Sequence, residues 1–473
     1  NGNVLIDVTD FFLRDAHGVI DKLEAQKMGN YSVDKSRSAI NISETLSFPK
    51  NSNVESIITY VGSKPGRYIR QVTPPPSAIT VRLHHSMVEL PDKNYSPRAH
   101  DPRAGFYPLS FQDYSAELDE SIYVRYIQRH RLEKINPSAQ ISRAKEPIVY
   151  YIDPGVPEPI KTAMIESGKW WNQAFEAAGF KDAFQVKILP DGAHPMDIRY
   201  NMIHWVHRAT RGWSYGGWIS DPRTGEIIKG NVSLGSLRLR QDYLIAAGLL
   251  APYKDKNSTP GSMRQLALAR IRQLVAHEIG HTIGLAHNYV SSSQGRSSVM
   301  DYPHPKISYV DNQINIDNAY AKDIGEWDKV SVQYAYSDFS DSVNEDKELN
   351  KILDDAVENG LYYLSDSDSR PVSSANPYSH LWDNGDLAYK ELDKLLNIRK
   401  QALINLDLDN LRNGEPYDRI EDIMVPIFML HRYQIEAAAK AIGGIDYLYY
   451  VKNNRGDKVR SVSYTHLTLP TKA

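Results

Sequence analysis

Three histidines and a glutamate share one short stretch, Ala276-His277-Glu278-Ile279-Gly280-His281-Thr282-Ile283-Gly284-Leu285-Ala286-His287. On a helix, His277 and His281 lie one turn apart, about 6 Å along the axis and on the same face. Two imidazoles so placed can converge on one metal ion at about 2.0–2.1 Å each. Glu278 is too displaced for an easy bond to that ion but well placed to reach a water on it. Gly284 reads as a left-handed helix terminator. Past it the chain can turn sharply and return His287 as a third ligand. Three neutral imidazoles leave zinc (Zn2+) one open position for water, whose pKa then falls to about 7. Glu278 is expected to act as the general base, taking that water's proton during attack on a carbonyl and passing it to the leaving amine.

The pattern is hard to obtain by accident. His-Glu-x-x-His alone arises by chance in about one chain in twenty of this length, and the added Gly and His lower that by roughly several hundred-fold. Leu274, Val275, Ile279, Ile283 and Leu285 make the segment apolar, so the helix should be buried. Buried imidazoles are costly unless something satisfies them.

Composition narrows the chemistry further. The 473 residues include no cysteine, which excludes thiolate catalysis, cysteine zinc fingers, iron–sulfur clusters and disulfides, and leaves His, Asp or Glu to hold any metal. With 55 basic and 58 acidic residues and a net charge of -3, bulk electrostatics argue against a nucleic-acid or anionic-membrane partner. No apolar run approaches the roughly 20 residues of a transmembrane helix.

The run His277-Glu278-x-x-His281-x-x-Gly284-x-x-His287 resembles the metzincin zinc-protease signature. Ser297-Ser298-Val299-Met300-Asp301-Tyr302-Pro303 is similar to the tight Met-turn of that family. The resemblance implies that Met300 floors the metal site without binding it. In some metzincins a tyrosine two residues beyond the Met reaches the metal or the transition-state oxyanion. Tyr302 occupies that offset as a candidate catalytic residue, although a tyrosine that merely packs the turn explains it equally well. The segment from Asp323-Ile324-Gly325-Glu326-Trp327-Asp328 to Tyr334-Ala335-Tyr336 resembles the helix closing the metzincin lower subdomain. Trp170-Trp171-Asn172-Gln173-Ala174-Phe175, Arg211-Gly212-Trp213-Ser214-Tyr215-Gly216 and Asp221-Pro222-Arg223-Thr224-Gly225-Glu226-Ile227-Ile228 resemble a group of large bacterial zinc-dependent metalloproteases. The zinc-protease resemblance implies a protein or peptide substrate, and the bacterial group implies a β-rich region before the core, a helical region after it, and export to the periplasm, cell surface or medium. A cysteine-switch latency is excluded within these 473 residues.

The elements that must position these residues read as an α+β chain. A metzincin-like catalytic domain over 141–340, with a twisted mixed sheet, an active-site helix and the Met-turn, is expected between a β-rich region over 1–140 and an α-helical region over 341–461. Alternation at 79–87 and 122–126 marks strands, and further strands are expected at 147–152, 184–188 and 198–206. A helix should begin near Pro157 and end before Gly179. Stretches 218–220 and 226–234 flank Asp221-Pro222-Arg223-Thr224-Gly225 as a hairpin. Ser262 and Gln265 form a capping-box pair that opens the long helix. Helices are also expected at 348–357, 388–406 and 420–441. The ends read as those of a fragment, and 462–473 resembles a translated adapter tail left outside the fold.

Weaker signals are read conservatively. His84 and His85 point to opposite faces of a strand, one exposed and one packed. His204 and His207 read as core or surface histidines instead of a second metal site. Asp366-Ser367-Asp368-Ser369 lacks the Gly and closing Glu of a calcium loop and reads as solvated linker. Trp213, Tyr215 and Trp218 either line a substrate cleft or, the favoured reading, pack beneath the hairpin; strand 227–234 is assigned to the upper rim of a cleft, where an extended peptide can pair antiparallel. The leading expectation is a zinc-dependent endopeptidase. A zinc-fold binding protein and a zinc hydrolase of a non-peptide amide remain alternatives; an intact Glu278 speaks against the former.

Overall fold

Long alternating strands build the first of two units. The computed structural model describes residues 4–208, 212–253, 261–452 and 463–464, and the chain divides into Asn1–Pro91 with Gly192–Tyr200, and Asp92–Asp191 with Asn201–Ala473. Arg211 and the adapter-like tail beyond 464 lie outside the described residues.

In the first unit, β1 (Asn30–Phe48), β2 (Asn51–Ser63) and β3 (Ala78–Val88) form an antiparallel sheet in the order β1-β2-β3. Register pairs Tyr60 with Ile79 and Ser56 with Leu83. Ile58, Tyr60, Ile79 and Leu83 are buried, the one-sided burial that a period of two produces. His84 faces solvent, and His85 packs 5.2 Å from the Phe12 ring, the expected split. The returning segment is tied in through Asn51, whose Oδ1 accepts from the Ile198 N–H at 3.0 Å and whose Nδ2 donates to the Met196 carbonyl at 3.0 Å.

The second unit begins with a two-stranded pair, β4 (Pro108–Gln112) and β5 (Tyr123–Ile127). It is built on a five-stranded mixed sheet. Its strands are β6 (Ile148–Ile152), β7 (Phe184–Ile188), β8 (Asn201–Val206), β9 (Tyr215–Ser220) and β10 (Ile227–Gly235), ordered β9-β10-β8-β6-β7. Four are parallel, and β9 runs antiparallel to β10 at one edge. A parallel strand buried on both faces needs a near-continuous apolar run; Ile148-Val149-Tyr150-Tyr151-Ile152 supplies it.

Between β6 and β7 lie α1 (Ile160–Lys169) and α2 (Trp171–Ala177). The single helix expected here is divided where the Trp170 N–H turns tighter, to the Ser167 carbonyl. Gly179 stops it at φ +87, where a Cβ would sit 2.7 Å from the Gln140 carbonyl. After β10 come α3 (Leu237–Leu250), the long α4 (Gly261–Thr282), α5 (Glu326–Tyr336), α6 (Glu345–Glu358), α7 (Ala388–Ile404), α8 (Arg419–Phe428) and α9 (Arg432–Ala439). The helix expected over 420–441 is two: Pro426 lies inside α8, and its missing N–H weakens the ladder shortly before the break.

The architecture is mixed α+β, β-rich in its N-terminal region and helical in its C-terminal region. Among the described residues no helix is long and apolar enough to cross a membrane. The main core packs α1, α2, α4 and α5 through Trp171, Phe175, Ile279, Met300 and Trp327, all at most 1% exposed. Gly168 lets α1 approach the sheet and α4 closely; a Cβ there would lie 2.6 Å from Val186 Cγ2 and 3.4 Å from Ile279 Cδ1. Burying side chains of this size stabilises by about 1.5–3 kcal/mol each, so α4 has a firm seat. That seat positions the site.

Candidate metal centre

His277, Glu278 and His281 occupy the last turns of α4. The helix ends in a Schellman motif: the Leu285 N–H reaches the Gly280 carbonyl at 3.0 Å and the Gly284 N–H reaches the His281 carbonyl at 3.0 Å. Gly284 takes φ +106, and a Cβ would lie 2.0 Å from the Gln128 carbonyl. Both the left-handed backbone and the close approach require glycine. Beyond the turn, the Tyr107 N–H donates to Gly284 and the Ala286 N–H to Gly105, at 3.0 and 2.8 Å. This bridge aims His287 back at the helix.

The three rings meet. Their centroids lie 4.7, 5.3 and 4.6 Å apart, and one ligand atom from each falls within 4.8 Å of the others. All three are at most 7% exposed. Each Nδ1 faces an acceptor: the Val299 carbonyl at 2.8 Å, the Leu285 carbonyl at 2.9 Å and the Asp366 carboxylate at 3.0 Å. With Nδ1 donating, each Nε2 presents a lone pair. The Nε2 atoms of His281 and His287 stand 3.1 Å apart, close to the roughly 3.3 Å between two ligands on a tetrahedral ion with 2.0–2.1 Å bonds. Nε2 of His277 is buried and has no hydrogen-bond partner among the described residues. Converging lone pairs in a dry pocket repel one another unless a cation lies between them. The donor set fits a zinc-type ion.

Electrostatics agree. Burial, then the neighbouring imidazoles, hold His277 well below the usual histidine range, and burial pushes His281 down to about 3. Both are therefore neutral, as metal binding demands. Burial pushes the Glu278 carboxyl up to about 8, opposed by the Arg270 guanidinium and the Gly216 N–H.

That N–H identifies the rim of the cleft. The expectation for 227–234 is corrected here: β10 is interior, paired on both sides, and the edge is β9. A Cβ on Gly216 would sit 2.2 Å from the Glu278 carbonyl and 2.9 Å from His281 Cβ, so this glycine lets the edge strand lie against α4. The aromatic residues of β9 and its lead-in are also corrected. Trp213 and Tyr215 are exposed, at 76% and 55%. Trp218 packs, its ring 5.3 Å from Tyr107.

Met300 is fully buried beneath the helix, against Gly280. Its turn is clamped by Asp328 of α5: Oδ2 accepts from the Val299 and Gly325 N–H groups at 2.8 and 2.9 Å, and Oδ1 from Ser298 Oγ. Burial pushes this carboxyl up to about 7. The Tyr302 ring lies 5.2 Å from His277 and 4.8 Å from His287.

Asp366 is the residue that sequence reasoning missed. The stretch read as solvated linker is a short helix, Asp366–Ser369, whose first residue holds His287. A lone aspartate 79 positions away carries no spacing signal. His204 is half-buried beside Asn231 and His207 lies 3.0 Å from Ser236 Oγ; among the described residues His277, His281 and His287 are the one group able to hold a metal.

A buried three-histidine site closing a long helix over a methionine-bearing turn defines a metzincin-type centre. Residues 259–466 match the family model described as Met-zincin, so the C-terminal part of the chain carries a Met-zincin domain. Residues 1–135 match a model described as a domain of unknown function (DUF5117). No curated protein and no solved structure matches the chain.

Proposed function

We propose that the protein is a zinc-dependent endopeptidase, with His277, His281 and His287 as metal ligands and Glu278 as general base. The observation that carries this reading is the convergence of three buried imidazoles at the end of a helix whose Glu278 carboxyl accepts from the Gly216 N–H of the edge strand. His277, His281 and His287 would hold a zinc ion, which would supply Lewis acidity and lower the pKa of a nearby water to about 7. Glu278 takes the proton of the attacking water as the C–O bond forms and delivers it to the amide nitrogen as the C–N bond breaks. The charge on a neighbouring dication favours the ionised carboxylate, countering its burial. Strand β9 offers main-chain groups to an extended peptide. Tyr302, in ring contact with both His277 and His287, is assigned to oxyanion stabilisation. The catalytic body is taken as 141–340, and the exported setting follows from the resemblance alone.

Metal analysis should return about one zinc per chain, lost in His281→Ala. Glu278→Ala should keep the metal and lose peptide cleavage by several orders of magnitude. If wild type and Glu278→Ala both bind peptides and neither cleaves any across a broad library, the binding-protein reading replaces this one.

A further inference from the structure

A cavity of about 620 Å³ opens between α3 and the α8–α9 pair. Two of its walls belong to the cleft. The Trp382 ring lies tilted against Tyr302 at 5.2 Å, and its backbone N–H donates to the Tyr302 carbonyl at 2.8 Å. Trp213, which also lines the cavity, lies two residues before the edge strand β9. A peptide lying along β9 therefore carries its side chains past the mouth of this cavity.

The lining has a distinct chemistry. Its floor is apolar, with Leu244, Val425, Pro426 and Met429, and its aromatic wall continues from Trp382 to Tyr433, 6.3 Å apart. Over that wall sit guanidiniums: Arg238 lies 5.6 Å from the Trp382 centroid and Arg432 4.5 Å from that of Tyr433. Stacking occupies the face of a guanidinium and leaves its in-plane N–H edge to bind. Arg238 also pairs with Asp242 at 3.0 Å, and Arg432 reaches the Tyr433 hydroxyl at 3.3 Å. Arg240 adds a third, exposed guanidinium. Against these three the lining has one carboxylate, Asp422, itself paired with Arg419. An apolar body with a negative tip fits such a pocket.

We propose that this cavity is a specificity subsite for an acidic residue of the peptide substrate, its methylenes on Trp382 and Tyr433 and its side-chain carboxylate on Arg238, Arg240 and Arg432. The inference rests on the peptidase reading, and its test separates the two. In a peptide-library cleavage profile, Glu or Asp is enriched at one fixed offset from the scissile bond. Glu→Gln in the best peptide lowers kcat/KM by about tenfold or more, less so at high salt. Arg240→Ala and Arg432→Ala, both at exposed positions, erase the preference, so that matched Glu and Gln peptides are cleaved at the same rate. Binding of the same Glu and Gln peptides to Glu278→Ala, followed by fluorescence anisotropy, should show the same discrimination.

Cleavage without an acidic preference, or a preference that survives the Arg240→Ala, Arg432→Ala double variant, overturns the subsite and leaves the peptidase reading standing. Arginine-dependent discrimination with no cleavage of any peptide overturns the peptidase reading instead and keeps the acidic-residue site. A preference that vanishes when the peptide's C-terminus is amidated overturns the side-chain assignment, because a terminal carboxylate is then the group bound.

Discussion

The Asp366 carboxylate stands 3.0 Å from Nδ1 of His287, joining the helical region to the three-histidine cluster across 79 positions of sequence. Carboxylates so placed fix an imidazole's tautomer and raise its basicity as a ligand. Burial opposes ionisation of Asp366, but His287 and Arg370 outweigh it and hold the carboxyl below its ordinary range. Asp366→Ala should therefore weaken metal affinity by about 10–100-fold without unfolding the protein. A chelator-competition titration beside a circular-dichroism spectrum reads both. Affinity equal to wild type would leave the carboxylate without a role at the metal.

Gly284 tests the turn that returns His287. Alanine there meets both the positive φ and the Gln128 carbonyl. Gly284→Ala is expected to cost about 2–5 kcal/mol, strain and overpacking together, and to weaken metal binding by displacing His287. Thermal unfolding followed by tryptophan fluorescence measures the first and the chelator titration the second. An unchanged melting temperature would mean that the turn can relax away from Gln128.

Those two residues mark what the sequence could and could not disclose. Gly284, His277, His281 and His287 lie within one short stretch, where helical spacing alone dictates which side chains meet. The Met-turn and the closing helix were recognisable because their residues recur in order. Asp366 and Asp328 act through tertiary packing, and no local period connects either to the group it holds. The edge strand was misassigned for a similar reason. Strands 215–220 and 227–235 are both short and mixed in character, and only the pairing of β10 with β8 buries one and exposes the other. The Trp213 and Tyr215 rings follow from that edge position.

Met300 is packed as a floor, so its shape should matter more than its sulfur. Met300→Leu, close in volume, is expected to cost less than about 1.5 kcal/mol, whereas Met300→Ala should cost about 2–5 kcal/mol by leaving a cavity under α4. Neither should change the metal stoichiometry. Loss of metal in Met300→Leu at full stability would instead assign the thioether to the ligand set.

Asp328 supplies a pH dependence away from the metal. Its ordinary value is 3.8, and in the folded protein burial pushes it up to about 7 against the hydrogen bonds from Ser298, Val299 and Gly325; Glu326 is the charged neighbour that adds to the rise. Below pH 3.8 the carboxyl is protonated in both states. Between the two values the unfolded chain ionises and the folded one does not, so this group's contribution to stability falls as pH rises towards 7 and is constant above it. Asp328→Asn cannot titrate. Its amide oxygen can still accept from Val299 and Gly325 while its NH2 faces Ser298. The stability difference between wild type and Asp328→Asn, from urea unfolding at a series of pH values, should therefore decline from about pH 4 to about pH 7 and then level. A difference that stays flat from about pH 4 to about pH 7 would mean that the three donors outweigh burial and that the Met-turn is clamped by a carboxylate ion.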